Sequence, residues 1–75
     1  MTTPEDLKNI APGSLVFFGY MGEYVAVVLK QKSCQYPPAS AYDVLWPSGV
    51  VQSIFFWPAE CKYVTIIPPN PDTED

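Results

Sequence analysis

The chain contains no histidine and no arginine, and only two of its 75 residues are cysteine. Without His, the commonest side chain for proton transfer near neutral pH is missing, and Cys34 has no imidazole with which to form a thiolate–imidazolium pair. Two thiols and no imidazole also fall short of the four Cys or His ligands of a structural zinc site within one chain. Nor do two cysteines make the disulfide framework that staples small secreted domains. Two reduced thiols in a cytoplasmic protein are expected, with a Cys34–Cys61 bridge as the alternative. Cys61, beside an apolar strand, reads as a small core residue, and Cys34, in a polar loop, as an accessible one.

Long apolar runs are absent too. None approaches the roughly 20 residues that span a bilayer, and the opening MTTPED has neither the basic flank nor the apolar stretch of a secretory signal. No membrane role is expected. Charge is scarce: the net value is −4, and it sits at the ends. Between residues 14 and 67, Lys30, Lys32 and Lys62 balance Glu23, Asp43 and Glu60, while Glu5, Asp6, Asp72, Glu74 and Asp75 leave the flanks acidic. A neutral body without arginine lacks the basic stripe that neutralises phosphates, which argues against direct binding of nucleic acid.

What the sequence has in plenty is apolar and aromatic side chains, 48% and 15% of residues, too many for a disordered chain. At this length there is room for one domain and one modest core. Residues 1–13 form an N-terminal arm, with Thr3 as N-cap, Pro at the next position and one helical turn before Pro12-Gly13 ends it. Strands are expected over 14–18 (SLVFF), 23–30 (EYVAVVLK), 42–47 (YDVLWP), 50–56 (VQSIFF preceded by Val50) and 63–67 (YVTII). Gly19 to Gly22 turn the first pair, Ser48-Gly49 makes a tight hairpin, and residues 57–61 form a single 3₁₀ turn. The loop over 31–40, with Pro37-Pro38, is the longest in the body. The tail over 68–75 is proline-rich, acidic and expected to be extended or disordered. No segment shows sustained helical periodicity. Five short strands with a 3₁₀ turn before the last suggest an all-β, five-stranded antiparallel barrel over 14–67, closed to protect its apolar edges.

Gly13, Val16, Gly22, Tyr42, Val44, Trp46, Gly49 and the segment from Cys61 to Ile67 give this stretch a pattern that resembles the SH3-like small barrels of the Tudor and KOW type. The resemblance implies an SH3-like barrel. It departs from KOW domains in lacking basic residues, so their nucleic-acid role does not carry over. More narrowly, a compact barrel with YDVLWPSG between short tails looks like the small proteins encoded by tailed bacteriophages. That likeness implies a viral setting and a place in the virion as a minor structural or decoration protein.

No catalytic residue, cofactor or metal is expected, since Glu23, Asp43 and Glu60 lie in different elements as solvated surface charges. The surplus is aromatic. With Val16, Phe18, Val25, Val27, Leu29, Tyr42, Val44, Trp46, Val51, Phe55, Cys61, Val64 and Ile66 filling the core, Phe17, Tyr20, Tyr24, Tyr36, Phe56 and Trp57 are left over to cap the barrel ends or to meet a protein partner. In one reading Phe17, Tyr24, Phe56 and Trp57 form a flat contact with a second copy or a larger assembly. In the other, Tyr20, Tyr36, Trp46 and Trp57 line a groove for a proline-rich peptide or a methylated amine, a set with no clear acidic neighbour.

Overall fold

Thr3 starts the first helix. Its backbone N–H donates to Asp6 Oδ2 at 2.9 Å while the Asp6 N–H donates to Thr3 Oγ1 at 3.2 Å, a reciprocal cap that starts α1 (Pro4–Lys8) with proline at its first position. The computed structural model in which this is seen describes residues 2–69, so the expectation for the tail falls, from residue 70 onward, outside the described residues. After α1 come β1 (Leu15–Phe18), β2 (Tyr24–Lys32), β3 (Ser40–Leu45), β4 (Val51–Phe56), the 3₁₀ helix η1 (Pro58–Tyr63) and β5 (Thr65–Ile67). No helix among them is long and apolar enough to cross a membrane.

The five strands form one antiparallel sheet in the order β4-β3-β2-β1-β5. Consecutive strands pair as far as β4, and the chain then returns through η1 to lay β5 beside β1. β4 and β5 are its two edges, and no ladder joins them among the described residues. The tight hairpin stands where Ser48-Gly49 predicts it: Gly49 N–H donates to Trp46 C=O at 2.9 Å, Trp46 N–H donates to Val50 C=O at 2.9 Å, and Gly49 takes φ +91, a conformation that favours glycine. The 3₁₀ helix ends two residues later than the turn expected over 57–61 and takes Tyr63 out of the last strand. Cys34 and Cys61 are both half-buried free thiols, with no bridge between them.

The core corrects the expected inside-outside phase of two strands. On β2 the buried residues are Ala26 and Val28, while Val25 and Val27 are half-buried and Leu29 is exposed. On β4 Phe56 is buried and Ile54 packs against the core, whereas Val51 and Phe55 are exposed. Both strands are apolar on both faces, so period-2 alternation leaves two phases of similar hydrophobicity, and a one-residue shift exchanges every side chain between them. The phase chosen puts the small Ala26 in the same core cluster as the large Tyr42 and Phe56. A bulge between Val28 and Lys30 then puts Lys30 opposite Asp43. There Ser53 Oγ donates to Asp43 Oδ1 at 2.6 Å and Lys32 Nζ lies 3.6 Å from the same oxygen, an arrangement that holds the Asp43 carboxyl below its ordinary range, the Ser53 bond foremost.

The N-terminal arm belongs to this core. Leu7 and Ile10 are buried in it, and the Tyr42 hydroxyl, itself fully buried, donates to Leu7 C=O at 2.6 Å and accepts from Ile10 N–H at 3.2 Å. Burial raises the Tyr42 pKa above the ordinary 10.0, partly offset by the Ile10 bond.

Two measurements follow. Above about pH 10 the unfolded chain loses the Tyr42 proton before the folded one does, so its share of stability is intact below that pH and falls as pH rises. Urea denaturation at alkaline pH should show this decline in the wild type and a smaller one in Tyr42→Phe. Phe56→Ala should cost about 3–5 kcal/mol and Phe55→Ala about 1 kcal/mol; equal losses would contradict the phase described for β4.

Candidate functional site

Between the β1–β2 turn, the end of β4 and η1 lies a groove of about 500 Å3. It is lined by the aromatic residues Phe18, Tyr20, Tyr24, Phe56 and Tyr63, by Phe55, whose side chain lies on the outer face of the sheet, and by Glu23 and Glu60. A larger cleft of about 690 Å3 runs between α1 and β5, lined by Glu5, Asp6, Asn9 and Lys62 among others, but it contains none of the aromatic rings.

Each wall has a local cause. β1 and β2 pair Phe18 directly with Tyr24, which brings their rings to 5.5 Å, and Phe18 also meets Phe56 edge-on at 5.5 Å and Trp46 at 5.7 Å. Tyr24 in turn meets the Trp46 edge at 6.4 Å, and Trp46 is held by Nε1–H donating to Gln52 Oε1 at 2.9 Å. Offset and edge-to-face packing of this kind fixes ring orientation beyond simple burial. On the opposite wall Tyr20, 82% exposed, stands edge-on to Tyr63 at 4.8 Å. Lys62 Nζ sits 5.3 Å from the centre of the Tyr63 ring, so the chain already places a cation against one of these rings.

The carboxylates are oriented by backbone. Met21 N–H donates to Glu23 Oε1 at 3.0 Å, and Trp57 N–H donates to Glu60 Oε1 at 3.0 Å at the start of η1. Among the described residues neither carboxylate has a lysine within ion-pairing distance. The groove thus sets two carboxylates beside aromatic rings, surroundings that chemically suit a positive charge on an apolar stem.

The six residues left over by the sequence reading do not assemble into one surface. Tyr20 and Tyr24 line the groove, and Phe56 lies beneath it at 3% exposure as part of the core, a correction to its expected surface position. Phe17 is half-buried on the other face of the sheet, one residue out of phase with Phe18. Tyr36, on the long loop, stands edge-on to Phe55 at 5.7 Å, and Trp57, 44% exposed, precedes η1 outside the groove lining. Of the alternative set Tyr20, Tyr36, Trp46 and Trp57, only Tyr20 lines it, and the expectation of no acidic neighbour is corrected by Glu23 and Glu60. Sequence reasoning missed Tyr63, counted as strand, and both carboxylates, whose signal lay in their spacing: Glu23 follows the Gly19–Gly22 turn, and Glu60 sits three residues after Trp57 where a cap would bind. No family model, curated protein or solved structure matches the chain.

The turn carrying Tyr20 depends on Gly19. It has φ +97, and a Cβ there would lie 2.8 Å from Glu23 Oε1 and 3.0 Å from the Tyr24 ring. Gly19→Ala is therefore expected to destabilise by about 1–3 kcal/mol and to displace Glu23. Gly22→Ala, where nothing lies within 4 Å, should cost less although its φ is also positive at +66. Urea titration of the two variants compares them, and a larger loss at Gly22 would count against this account of the turn.

Proposed function

We propose that this protein is a non-enzymatic interaction module, an SH3-like small barrel in its architecture, that holds a segment of another protein in the groove between Tyr20, Tyr24 and Tyr63. The observation that carries the reading is the pairing of edge-to-face and tilted aromatic rings with two backbone-oriented carboxylates around one cleft. The SH3-like reading is supported by the strand order, a meander whose fifth strand returns beside the first after a 3₁₀ helix.

The favoured ligand is a Lys or Arg side chain on an extended segment. Its stem would lie on Tyr20 and Tyr63, and its charge would meet Glu23 and Glu60, with cation–π attraction adding to the ion pairs. A proline-rich segment without a cation would use the rings and leave both carboxylates unanswered. The flat contact of Phe17, Tyr24, Phe56 and Trp57 is the weaker reading: Phe56 is buried, and Phe17 and Tyr24 belong to opposite faces of the sheet. For a component of a phage particle, the setting implied by the sequence resemblance, the groove would take a segment of a neighbouring particle protein.

The test is calorimetric titration with a panel of extended peptides differing only in Lys, Arg, neutral or acidic residues at a central position. Binding should select the basic members, weaken as salt is raised, and drop about tenfold in Tyr63→Ala and in the Glu23→Gln/Glu60→Gln pair. Equal affinity for acidic and basic peptides would overturn the proposal.

A further inference from the structure

The two edges of the sheet are treated differently. β5 is three residues long and is followed directly by Pro68 and Pro69, which have no N–H to offer, so that edge is short and ends abruptly. β4 is six residues long, VQSIFF, with no charge, no proline, no glycine and no bulge. An open edge of this composition is the kind that soluble proteins ordinarily guard with lysine, proline or a bulge, because its free backbone groups template another strand. Val51 and Phe55 on it are exposed by 58% and 45%.

The direction of those free groups follows from the hairpin. Trp46 N–H donates to Val50 C=O, and in an antiparallel ladder the bonding residues alternate, so Gln52, Ile54 and Phe56 turn their N–H and C=O toward β3. Val51, Ser53 and Phe55 turn theirs away from the sheet. Their side chains share the outer face, where Val51 ends a row of directly paired apolar residues that crosses all five strands: Ile67, Leu15, Val27, Leu45, Val51.

From this we infer that the β4 edge pairs with β4 of a second copy of the chain, antiparallel, about a two-fold axis through Ser53. That axis sets Ser53 opposite Ser53, Val51 opposite Phe55 and Phe55 opposite Val51, so all three outward-facing residues of each strand meet outward-facing residues of the other. The pairing forms six backbone hydrogen bonds and two β-branched–aromatic cross-strand contacts on the outer face. No like charges oppose each other along the strand, and the apolar row runs on from Val51 of one copy to Phe55 of the next. A shift by one residue would place bonded groups against unbonded ones, and a shift by two would shorten the ladder. Self-pairing thus fits this edge in one register. A ladder of three outward-facing residues on each strand is short beside the roughly 800 Å2 per partner of a standard stable interface, so the expected dimer is a weak one.

Sedimentation velocity from about 10 µM to about 1 mM should show a reversible monomer–dimer equilibrium. Val51→Lys should raise the dissociation constant about tenfold or more, Val51→Thr should leave it nearly unchanged, and Tyr63→Ala, which alters the groove, should not affect it. Amide exchange of the wild type reads the same contact without a variant: protection of Val51, Ser53 and Phe55 should rise with concentration, while that of Gln52 and Ile54 stays constant. A monomer at 1 mM, a dimer indifferent to Val51→Lys, or odd-numbered amides that exchange equally fast in monomer and dimer would each overturn the inference.

Discussion

Everything in this small sheet leans on one buried hydroxyl. Tyr42 OH donates to one backbone group of the N-terminal arm and accepts from another, so a strand in the middle of the sheet and the segment that precedes it become one body. A phenol buried without such partners would lose about 1–3 kcal/mol to desolvation, and the arm's Leu7 C=O and Ile10 N–H would face the same penalty. With the bonds made, Leu7 and Ile10 close one side of the core, and α1 comes to rest against η1. The groove inherits its firmness from this arrangement, because Tyr42 also touches Phe56, whose ring in turn supports Phe18.

The sequence made the strands legible, and less so what lies between their faces. Thr3 and Pro4 announce the short helix, the Ser48-Gly49 turn announces its hairpin, and the β-branched runs announce five strands in the right order. A closed barrel was the expected end of that pattern; one open sheet with free β4 and β5 edges is what the described residues contain. The inside of β2 and β4 was not legible because VAVV and IFF are apolar at both phases, and only packing against Tyr42 decides between them. The arm's role escaped for a related reason: nothing local to Leu7 or Ile10 tells that a tyrosine more than thirty residues later will bind their backbone.

The candidate site shows the same division. An excess of aromatic side chains over core volume could be counted from composition, but which of them share a cleft could not. Tyr63 reaches Tyr20 because the 3₁₀ helix extends to include it, and Phe56 leaves the surface because its strand is turned by one residue. Glu23 and Glu60 are far apart in sequence and each reads as an ordinary surface charge. Both serve local backbone, one a glycine turn and the other a helix start, and those two local duties place them on the lining of the same groove.

The path of the chain through the sheet has a consequence in time. β1 is made before the other four strands, yet one of its two neighbours is β5, the last of the five. Tyr42, whose bonds hold the arm, comes more than thirty residues after it. During synthesis the early hairpin of β1 and β2 therefore waits with one side unpaired and its apolar faces uncovered, and the core completes only when residue 67 returns to residue 15. Folding is late and governed by distant contacts, which slows it relative to a helical chain of similar size. The α1 cap, the glycine turn at 19–22 and the hairpin at Gly49 are closed by contacts between near neighbours in sequence, so they are able to form along the way.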